Sequence, residues 1–136
     1  MVADGFAEAR AFLDRFEVGI AARDMTALRT MCTDDVVIFG ASRANFGPDE
    51  ASDYLQRVVD ANTIRWHLDR HAVVDASDTH LLVATEGQVE SDDGTGPHRF
   101  DFRLTLWLVR EDGEWKLKHF HGSLPGALTA EPGRSR

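Results

Sequence analysis

The stretch that decides the fold is Arg103-Leu-Thr-Leu-Trp-Leu-Val-Arg-Glu-Asp-Gly-Glu-Trp-Lys-Leu-Lys-His-Phe-His-Gly-Ser123. It predicts two strands joined at Asp112-Gly113, because Asp-Gly between alternating apolar runs is a strong signal for a tight hairpin turn. Side chains alternate across a strand, so the second strand places His119 and His121 on the same face as Trp115. The hairpin therefore continues a partly apolar face with two imidazoles, a side chain suited to proton transfer near neutral pH.

The register of this hairpin predicts which way the two histidines face. A two-residue turn pairs Leu106 with His119 and Leu104 with His121, and paired residues share a face. The other face carries Arg103, Thr105, Trp107, Lys116, Lys118 and Phe120. Since the more apolar face should cover the helices, we expect both histidines to face inward and Arg103 to face outward. A β-bulge in either strand would reverse one set and bring Arg103 inside.

The composition is that of an ordinary globular chain of 136 residues, 43% hydrophobic and 28% charged. It predicts one domain over residues 1–125, followed by a flexible tail over residues 126–136. The formal net charge of −8 disfavours nucleic acids and anionic membranes as partners. Cys32 is the only cysteine, and no signal peptide or membrane span is recognisable, so we expect a cytoplasmic protein.

The order of the predicted elements indicates an α+β fold. Two helices, capped by Asp4 and Asp24, precede a strand over Val36–Phe39, with Asp34-Asp35 as the break, and Gly47-Pro48 then opens a third helix. Four strands follow as a meander, over Ile64–Asp75, His80–Glu90, His98–Arg110 and Glu114–Gly122. We expect a strongly curved antiparallel or mixed sheet packed on the N-terminal helices, forming a cone with a central pocket.

Short motifs spread over nearly the whole chain carry a family resemblance. They are Ala21-Ala-Arg-Asp24, Met31-Cys-Thr-Asp-Asp-Val-Val-Ile38, Gly47-Pro-Asp-Glu-Ala51, Arg103-x-Thr105, Asp112-Gly-Glu-Trp115 and His119-x-His121-x-Ser123. With these motifs the chain resembles the SnoaL-like family of the nuclear transport factor 2-like superfamily. Its last segment is also similar to the association domain of calmodulin-dependent protein kinase II. The resemblance implies the α+β cone and leaves the activity open, because the superfamily includes isomerases, cyclases, dehydratases, epoxide hydrolases and non-catalytic binding modules.

Ketosteroid isomerase, an enzyme of this superfamily, can be compared residue by residue. It uses a Tyr on the first helix, a general-base Asp at the end of the first strand and a protonated Asp on a later strand. Alignment on Asp34-Asp35 places Phe16 at the Tyr position and Gly40 at the base position, and alignment on Gly113 places Thr105 at or near the third. Phe16 has no hydroxyl and Gly40 has no base, so we expect that mechanism to be absent.

The candidate catalytic residues are His121, His119 and Glu86. The histidines are candidates for general acid and base, and the alternative is that they are structural histidines near a sheet edge. Glu86 lies in an apolar strand and either faces the pocket, where loss of solvent favours its protonated form, or is an ordinary surface carboxylate, the interpretation we favour. Two histidines two residues apart can chelate a metal, but no third ligand is evident, so we predict no metal and no cofactor.

The candidate ligand contacts are Trp66, Arg103, Phe39, Leu106 and Trp115. Trp66 is expected in the core or in the pocket wall, with stacking on a flat ligand as the less favoured alternative. Arg103, like Glu86, would orient the ligand or stabilise charge in an enzyme of this kind.

Two main functional hypotheses remain open. The first is a cofactor-independent isomerase, cyclase or hydratase that acts on a small apolar or carbonyl-bearing ligand, with His119 or His121 moving the proton. The second is a non-catalytic ligand-binding or oligomerisation module, and a protein-binding adaptor is a third. We also expect a homodimer through the sheet, because Trp107 and Phe120 on the outer face need cover, although the tail or Phe100 and Phe102 would serve as well.

Overall fold

The computed structural model describes residues 4–126, which form three helices packed on one six-stranded sheet. In chain order the elements are α1 (Gly5–Ala21), α2 (Met25–Thr30), β1 (Cys32–Phe39), β2 (Ala44–Phe46), α3 (Gly47–Ala61), β3 (Thr63–Ala76), β4 (His80–Asp92), β5 (Pro97–Glu111) and β6 (Glu114–Ser123). The strand order is β2-β1-β6-β5-β4-β3, with β1 parallel to β6 and the other neighbours antiparallel. The predicted α+β fold with a mixed sheet is confirmed. The predicted tail, apart from Gly126, lies outside the described residues.

The helices begin where the capping residues predict. The Asp4 side chain accepts a hydrogen bond from the Phe6 amide at 3.0 Å, and the Asp24 side chain accepts one from the Ala27 amide at 3.0 Å. Both carboxylates also lie at the positive end of a helix dipole. Pro48 occupies the first turn of α3, where a missing amide hydrogen costs nothing.

The first part of the sheet differs from the sequence prediction. Asp34-Asp35 does not break the chain before a strand at Val36, because β1 already begins at Cys32. Cys32 pairs with Leu117 of β6, and the Leu117 amide donates to the carbonyl oxygen of Met31 at 2.7 Å. The three-residue strand β2 was also missed, since so short a segment shows no alternation. Pairing with a distant strand therefore determines this part of the sheet more than local propensity does.

The core lies between the helices and the inner face of the sheet. α1 packs mainly on β3, and α3 packs mainly on β1. The fully buried side chains of the sheet include Ile38, Leu81, Val83, Leu104, Leu106 and Leu108. The alternate residues of β4 and β5 face away from the helices, so the sheet has one apolar inner face and one mixed outer face.

A β-bulge in β6 reverses the predicted facing of the two histidines. Leu108 pairs with Leu117 as predicted, but Trp107 pairs with His119, which leaves Lys118 as an extra residue. Phe120 therefore enters the core, and His119 and His121 lie on the outer face. The prediction that these histidines face inward is wrong, as is the placement of Phe120 on the outer face.

Packing explains why the bulged register is preferred. It buries Phe120 and places Gly122 on the inner face opposite Leu104, whereas the unbulged register would bury two imidazoles. The Phe102 ring lies directly over Gly122, so that a Cβ at that glycine would come within 2.3 Å of the ring. The extra residue Lys118 also gains a partner, since its Nζ donates to Asp35 on β1. Burying apolar rather than polar side chains favours this arrangement.

A second irregularity positions Trp66. β3 carries a register shift between Leu68 and Arg70, and a Cβ on Gly87 of β4 would come within 2.1 Å of the His67 carbonyl oxygen. The two backbones approach each other here as only glycine allows, and bulges of this kind bend a strand. Trp66, on the N-terminal side of the shift, is buried against the core, while residues 69–80 are exposed.

Within residues 4–126, none of the helices is both long enough and apolar enough to span a membrane.

Candidate functional site

An apolar cavity of about 150 Å³ lies between the inner face of the sheet and helices α1 and α3. Its wall is formed largely by aromatic and aliphatic side chains, among them Phe16, Ile38, Leu55, Trp66, Phe102 and Phe120. Ala41 and Leu124 also line it and are exposed, which places its mouth at that end of the cone. A concave apolar site with few polar groups is typical of small-molecule sites.

Tyr54, Trp66 and Ser91 bring polar side-chain atoms to this cavity. The Ser91 hydroxyl donates to Oδ1 of Asn62 at 2.9 Å and is therefore already satisfied. Burial raises the pKa of the Tyr54 phenol, so this side chain stays protonated at neutral pH and can donate a hydrogen bond. Trp66 is only 7% exposed, and its Nε1 has no hydrogen-bond partner among the described residues.

The end of β1 is shaped around the hydroxyl of Tyr54. A Cβ on Gly40 would come within 2.1 Å of Oη of Tyr54 and within 2.7 Å of its Cζ. Any side chain at position 40 would therefore displace the phenol. In the comparison with ketosteroid isomerase this is the position of the general base, and here a phenol from α3 fills the adjoining space instead.

The described residues of the cavity wall carry no carboxylate and no imidazole. Among its described lining residues, Tyr54 is the one side chain that ionises in the ordinary pH range, and its pKa is raised rather than lowered. Two hydrogen-bond donors, the Tyr54 hydroxyl and the Trp66 indole, remain in an otherwise apolar wall. This arrangement can hold a ligand by burial and by hydrogen bonds to a neutral acceptor.

The histidines proposed from the sequence lie together, but on the opposite face of the sheet. The Phe39 ring stands edge-on to both, with ring centroids 5.2 Å from His119 and 5.3 Å from His121. Nδ1 of His119 lies 2.8 Å from the carbonyl oxygen of Val37, within hydrogen-bonding distance. None of the three predicted side chains lines the cavity. They form an aromatic cluster on the outer face.

Glu86 and Arg103 also lie on the outer face. The Arg103 Nε donates to Oε2 of Glu86 at 3.1 Å, and the Arg70 Nη2 lies 3.5 Å from Oε1 of the same carboxylate. Arg70 and Arg103 are largely exposed, so these ion pairs are partly screened by solvent. The surface interpretation of Glu86 agrees with this position.

The remaining predicted ligand contacts divide between the cavity and the core. Trp66 lines the cavity, as the pocket-wall interpretation expects, and its contact with a ligand stays a prediction. Leu106 is buried in the core away from the cavity lining. Trp115 lies beside α1, where its Nε1 donates to Oε2 of Glu8 at 3.2 Å and its ring faces Arg110.

Several residues of the cavity wall were not proposed as site residues from the sequence. Phe120 was placed on the wrong face by the unbulged register. Val89 lies near the end of the predicted strand, where alternation gives it the face opposite Glu86, whereas Ser91 lies beyond the predicted end of that strand at Glu90. Tyr54 shares one face of α3 with Leu55, Val58 and Val59, and this helical spacing was the available signal. Among residues 4–126, no group of three His, Cys, Asp or Glu side chains is arranged to hold a metal ion.

Solved structures with the same architecture support the fold. A proposed dehydratase of the NTF2-like family from Streptomyces avermitilis superposes with a TM-score of 0.74 at 15% identity, covering 90% of this chain and 98% of that chain. A proposed calcium/calmodulin-dependent protein kinase II association domain from Xanthomonas campestris gives a TM-score of 0.73 at 14% identity, covering 89% and 88%. A proposed scytalone dehydratase from Novosphingobium aromaticivorans gives 0.71 at 14%, covering 96% and 95%. These superpositions establish a shared fold, and the low sequence identities leave the activity open.

Sequence comparison places the chain within one family. No curated protein sequence matches it. The family model described as the SnoaL-like domain, in contrast, matches residues 9–127, which is most of the chain. This match confirms the resemblance to the SnoaL-like family that the sequence motifs carry, and the solved structures agree with it in fold: the chain belongs to the SnoaL-like family.

Proposed function

We propose that this protein binds a small, largely apolar ligand, about one aromatic ring in size, in the cavity between α1, α3 and the inner face of the sheet. The observation that carries this proposal is the wall itself, in which Phe16, Trp66, Phe102 and Phe120 surround an apolar space. Burial of the ligand surface supplies the affinity, at about 25 cal/mol for each Å² removed from water.

The size of the cavity limits the ligand. Its volume is about 150 Å³, and apolar cavities of roughly this volume in other proteins stay dry and accept benzene. A single ring with a short substituent therefore fits, and a longer substituent would extend through the mouth past Leu124.

Binding is better supported than acid–base catalysis by a histidine. His119 and His121 are separated from the cavity by the sheet, and the other charged candidates, Glu86 and Arg103, pair with each other on the outer face. Two of the similar structures are described as proposed dehydratases, but at this level of identity the likeness concerns the fold. The ligand-binding alternative among the sequence hypotheses therefore becomes our first proposal.

Titration with toluene tests this function. Wild-type protein should bind toluene in calorimetry, whereas Val58→Phe, which adds a ring to the cavity wall, should abolish binding. Val18→Phe is the matched control, because Val18 is 68% exposed on α1 and away from this cavity, and it should bind as wild type does. Absence of toluene binding by the wild type, or equal binding by both variants, would overturn the proposal.

We also propose that the outer face of the sheet pairs with a second copy of the chain. Phe46 is 59% exposed and contacts Phe39 edge-on, with ring centroids 5.5 Å apart. Together with the two outer histidines and Trp107 these rings form a patch of the kind that marks an interface. A twofold dimer would bury the same patch on both subunits.

Sedimentation equilibrium tests the dimer. Wild-type protein should sediment as a dimer, and Phe46→Asp should shift the equilibrium to the monomer. Val74→Asp is the matched control, because Val74 is also exposed, at 60%, but lies in the second half of β3. A monomeric wild type, or a Phe46→Asp variant that remains dimeric, would refute this assembly.

A further inference from the structure

We propose that the indole Nε1 of Trp66 donates a hydrogen bond to the ligand, which makes the ligand a small arene carrying a neutral acceptor oxygen, such as an aryl ketone. This inference rests on the proposed binding function and adds the chemical class of the ligand to it. Its starting point is that Trp66 lines the cavity while its ring nitrogen, buried and polar, lacks a partner among residues 4–126.

The position of Trp66 is fixed by hydrogen bonds that leave the indole as its single unsatisfied group. Its backbone amide donates to Oε2 of Glu17 at 2.8 Å, and its carbonyl oxygen accepts from Nη1 of Arg10 at 2.8 Å. Arg10 and Glu17 are themselves joined at 2.7 Å, so α1 holds the tryptophan through a closed network. The ring packs against Phe16 and Phe120, with centroids 6.4 Å and 5.8 Å away, and neither offers an oxygen or nitrogen acceptor.

The other two tryptophans show that an unpaired indole is the exception in this chain. Nε1 of Trp115 donates to Glu8 at 3.2 Å, and Nε1 of Trp107 donates to Nδ1 of His80 at 3.4 Å. Both of these side chains are less buried than Trp66. Since buried polar groups in folded proteins are almost always paired, the most buried indole calls for an acceptor that the described part of the chain does not supply.

The character of the cavity defines that acceptor. The hydroxyl of Tyr54, which stays protonated, is a second donor among the residues of the cavity wall, so both of these polar groups can donate. The described wall of the cavity carries no charged side chain that could pair with a charged ligand. Burial of an unpaired carboxylate or ammonium group of a ligand would therefore be strongly unfavourable. A neutral carbonyl or ether oxygen on a single ring meets both conditions.

A pair of ligands of nearly equal shape tests this assignment. Acetophenone and isopropylbenzene differ in that a carbonyl oxygen replaces a methyl group, so the ratio of their affinities isolates the oxygen. Calorimetry should show that Trp66→Phe, which removes the N–H and keeps an aromatic ring, lowers the acetophenone-to-isopropylbenzene ratio about tenfold relative to wild type. Trp115→Phe removes an indole N–H outside the cavity and should leave the ratio unchanged.

A second measurement follows ligand binding in the wild type and uses the variant to assign one signal. In a proton–nitrogen NMR spectrum, the indole signal missing from Trp66→Phe is that of Trp66. It should move downfield with acetophenone and not with isopropylbenzene, which controls for ring-current effects. An equal ratio in wild type and Trp66→Phe, or the same shift with both ligands, overturns the donor assignment. Binding of isopropylbenzene in that case leaves the apolar binding function standing, and failure of both ligands to bind refutes the two proposals together.

Discussion

Replacement of Phe120 by alanine provides the sharpest test of the bulged register in β6. With the bulge at Lys118, Phe120 is 8% exposed and packs against Trp66 in the cavity wall. Without the bulge it would lie on the outer face, and His121 would take an inner position. The two registers therefore predict opposite outcomes for alanine substitutions at these neighbouring positions.

The expected loss follows from the burial of the ring. Truncation of a buried Phe to Ala typically lowers the free energy of unfolding by about 3–5 kcal/mol. Phe120 borders an existing cavity and so lacks packing on one side, which favours the lower value, about 3 kcal/mol. For a chain of this length, that loss corresponds to a fall in Tm of roughly 10 °C. His121 is exposed in the single chain, so on a Phe46→Asp background, which removes the proposed dimer contact, its replacement by alanine should change stability by less than about 0.5 kcal/mol.

Urea unfolding followed by circular dichroism would measure both substitutions on the Phe46→Asp background. The bulge is supported if Phe120→Ala is much less stable than His121→Ala. A larger loss for His121→Ala, or equal losses for both, would refute the register and return the histidines to the interior. Calorimetric Tm values give an independent check of the same order.

Further predictions concern the end of β1, an exposed ion pair and the single cysteine. Gly40→Ala should displace the Tyr54 hydroxyl and lower stability by about 1–3 kcal/mol in urea unfolding, because the new Cβ would come within 2.1 Å of it; an unchanged midpoint would contradict the packing. The hydrogen bonds from Lys118 and Thr33 lower the pKa of Asp35 below its ordinary value of 3.8. A carboxylate whose pKa is lower in the folded than in the unfolded chain stabilises the fold at pH values above its unfolded-state pKa. Near neutrality the wild type should therefore be more stable than Asp35→Asn, by less than about 1 kcal/mol because the ion pair is exposed. This difference should vanish as the pH falls below 3.8, and a gap that persists in acid would exclude the ion pair as its cause. Burial raises the pKa of Cys32 from 9.0 to about 12, so iodoacetamide should label the native protein far more slowly than the urea-unfolded chain at mildly alkaline pH, and equal rates by mass spectrometry would contradict its burial.

Local chemistry explains which parts of the fold the sequence predicts. The caps Asp4 and Asp24, the first turn at Pro48 and the Asp112-Gly113 turn all follow from the conformational demands of neighbouring residues. Such signals act over a few residues, and they were sufficient for the helix starts and for the four strands of the meander, but not for the start of β1. The family resemblance added the way these elements pack together.

The facing of β6 depends on contacts that are distant in sequence. The bulge is favoured by the space for the Phe102 ring over Gly122 and by the contact of Lys118 with Asp35, residues from three different strands. A bulge adds one residue and inverts every side chain beyond it, so alternation within the strand cannot reveal it. The two histidines were misplaced for this reason, whereas Trp66 precedes the register shift of its own strand and lies where it was expected, in the core and pocket wall.

The apolar cavity also has a consequence for selection on this chain. Side chains that line an apolar cavity lack packing partners on one side, so dispersion energy is lost relative to a filled core. Larger side chains at Val58 or Val89 would recover part of this energy, and a chain selected for stability alone would acquire them readily. Ligand binding and thermal stability should therefore trade off at these positions: variants enriched in a screen for heat resistance would be those that have closed the site.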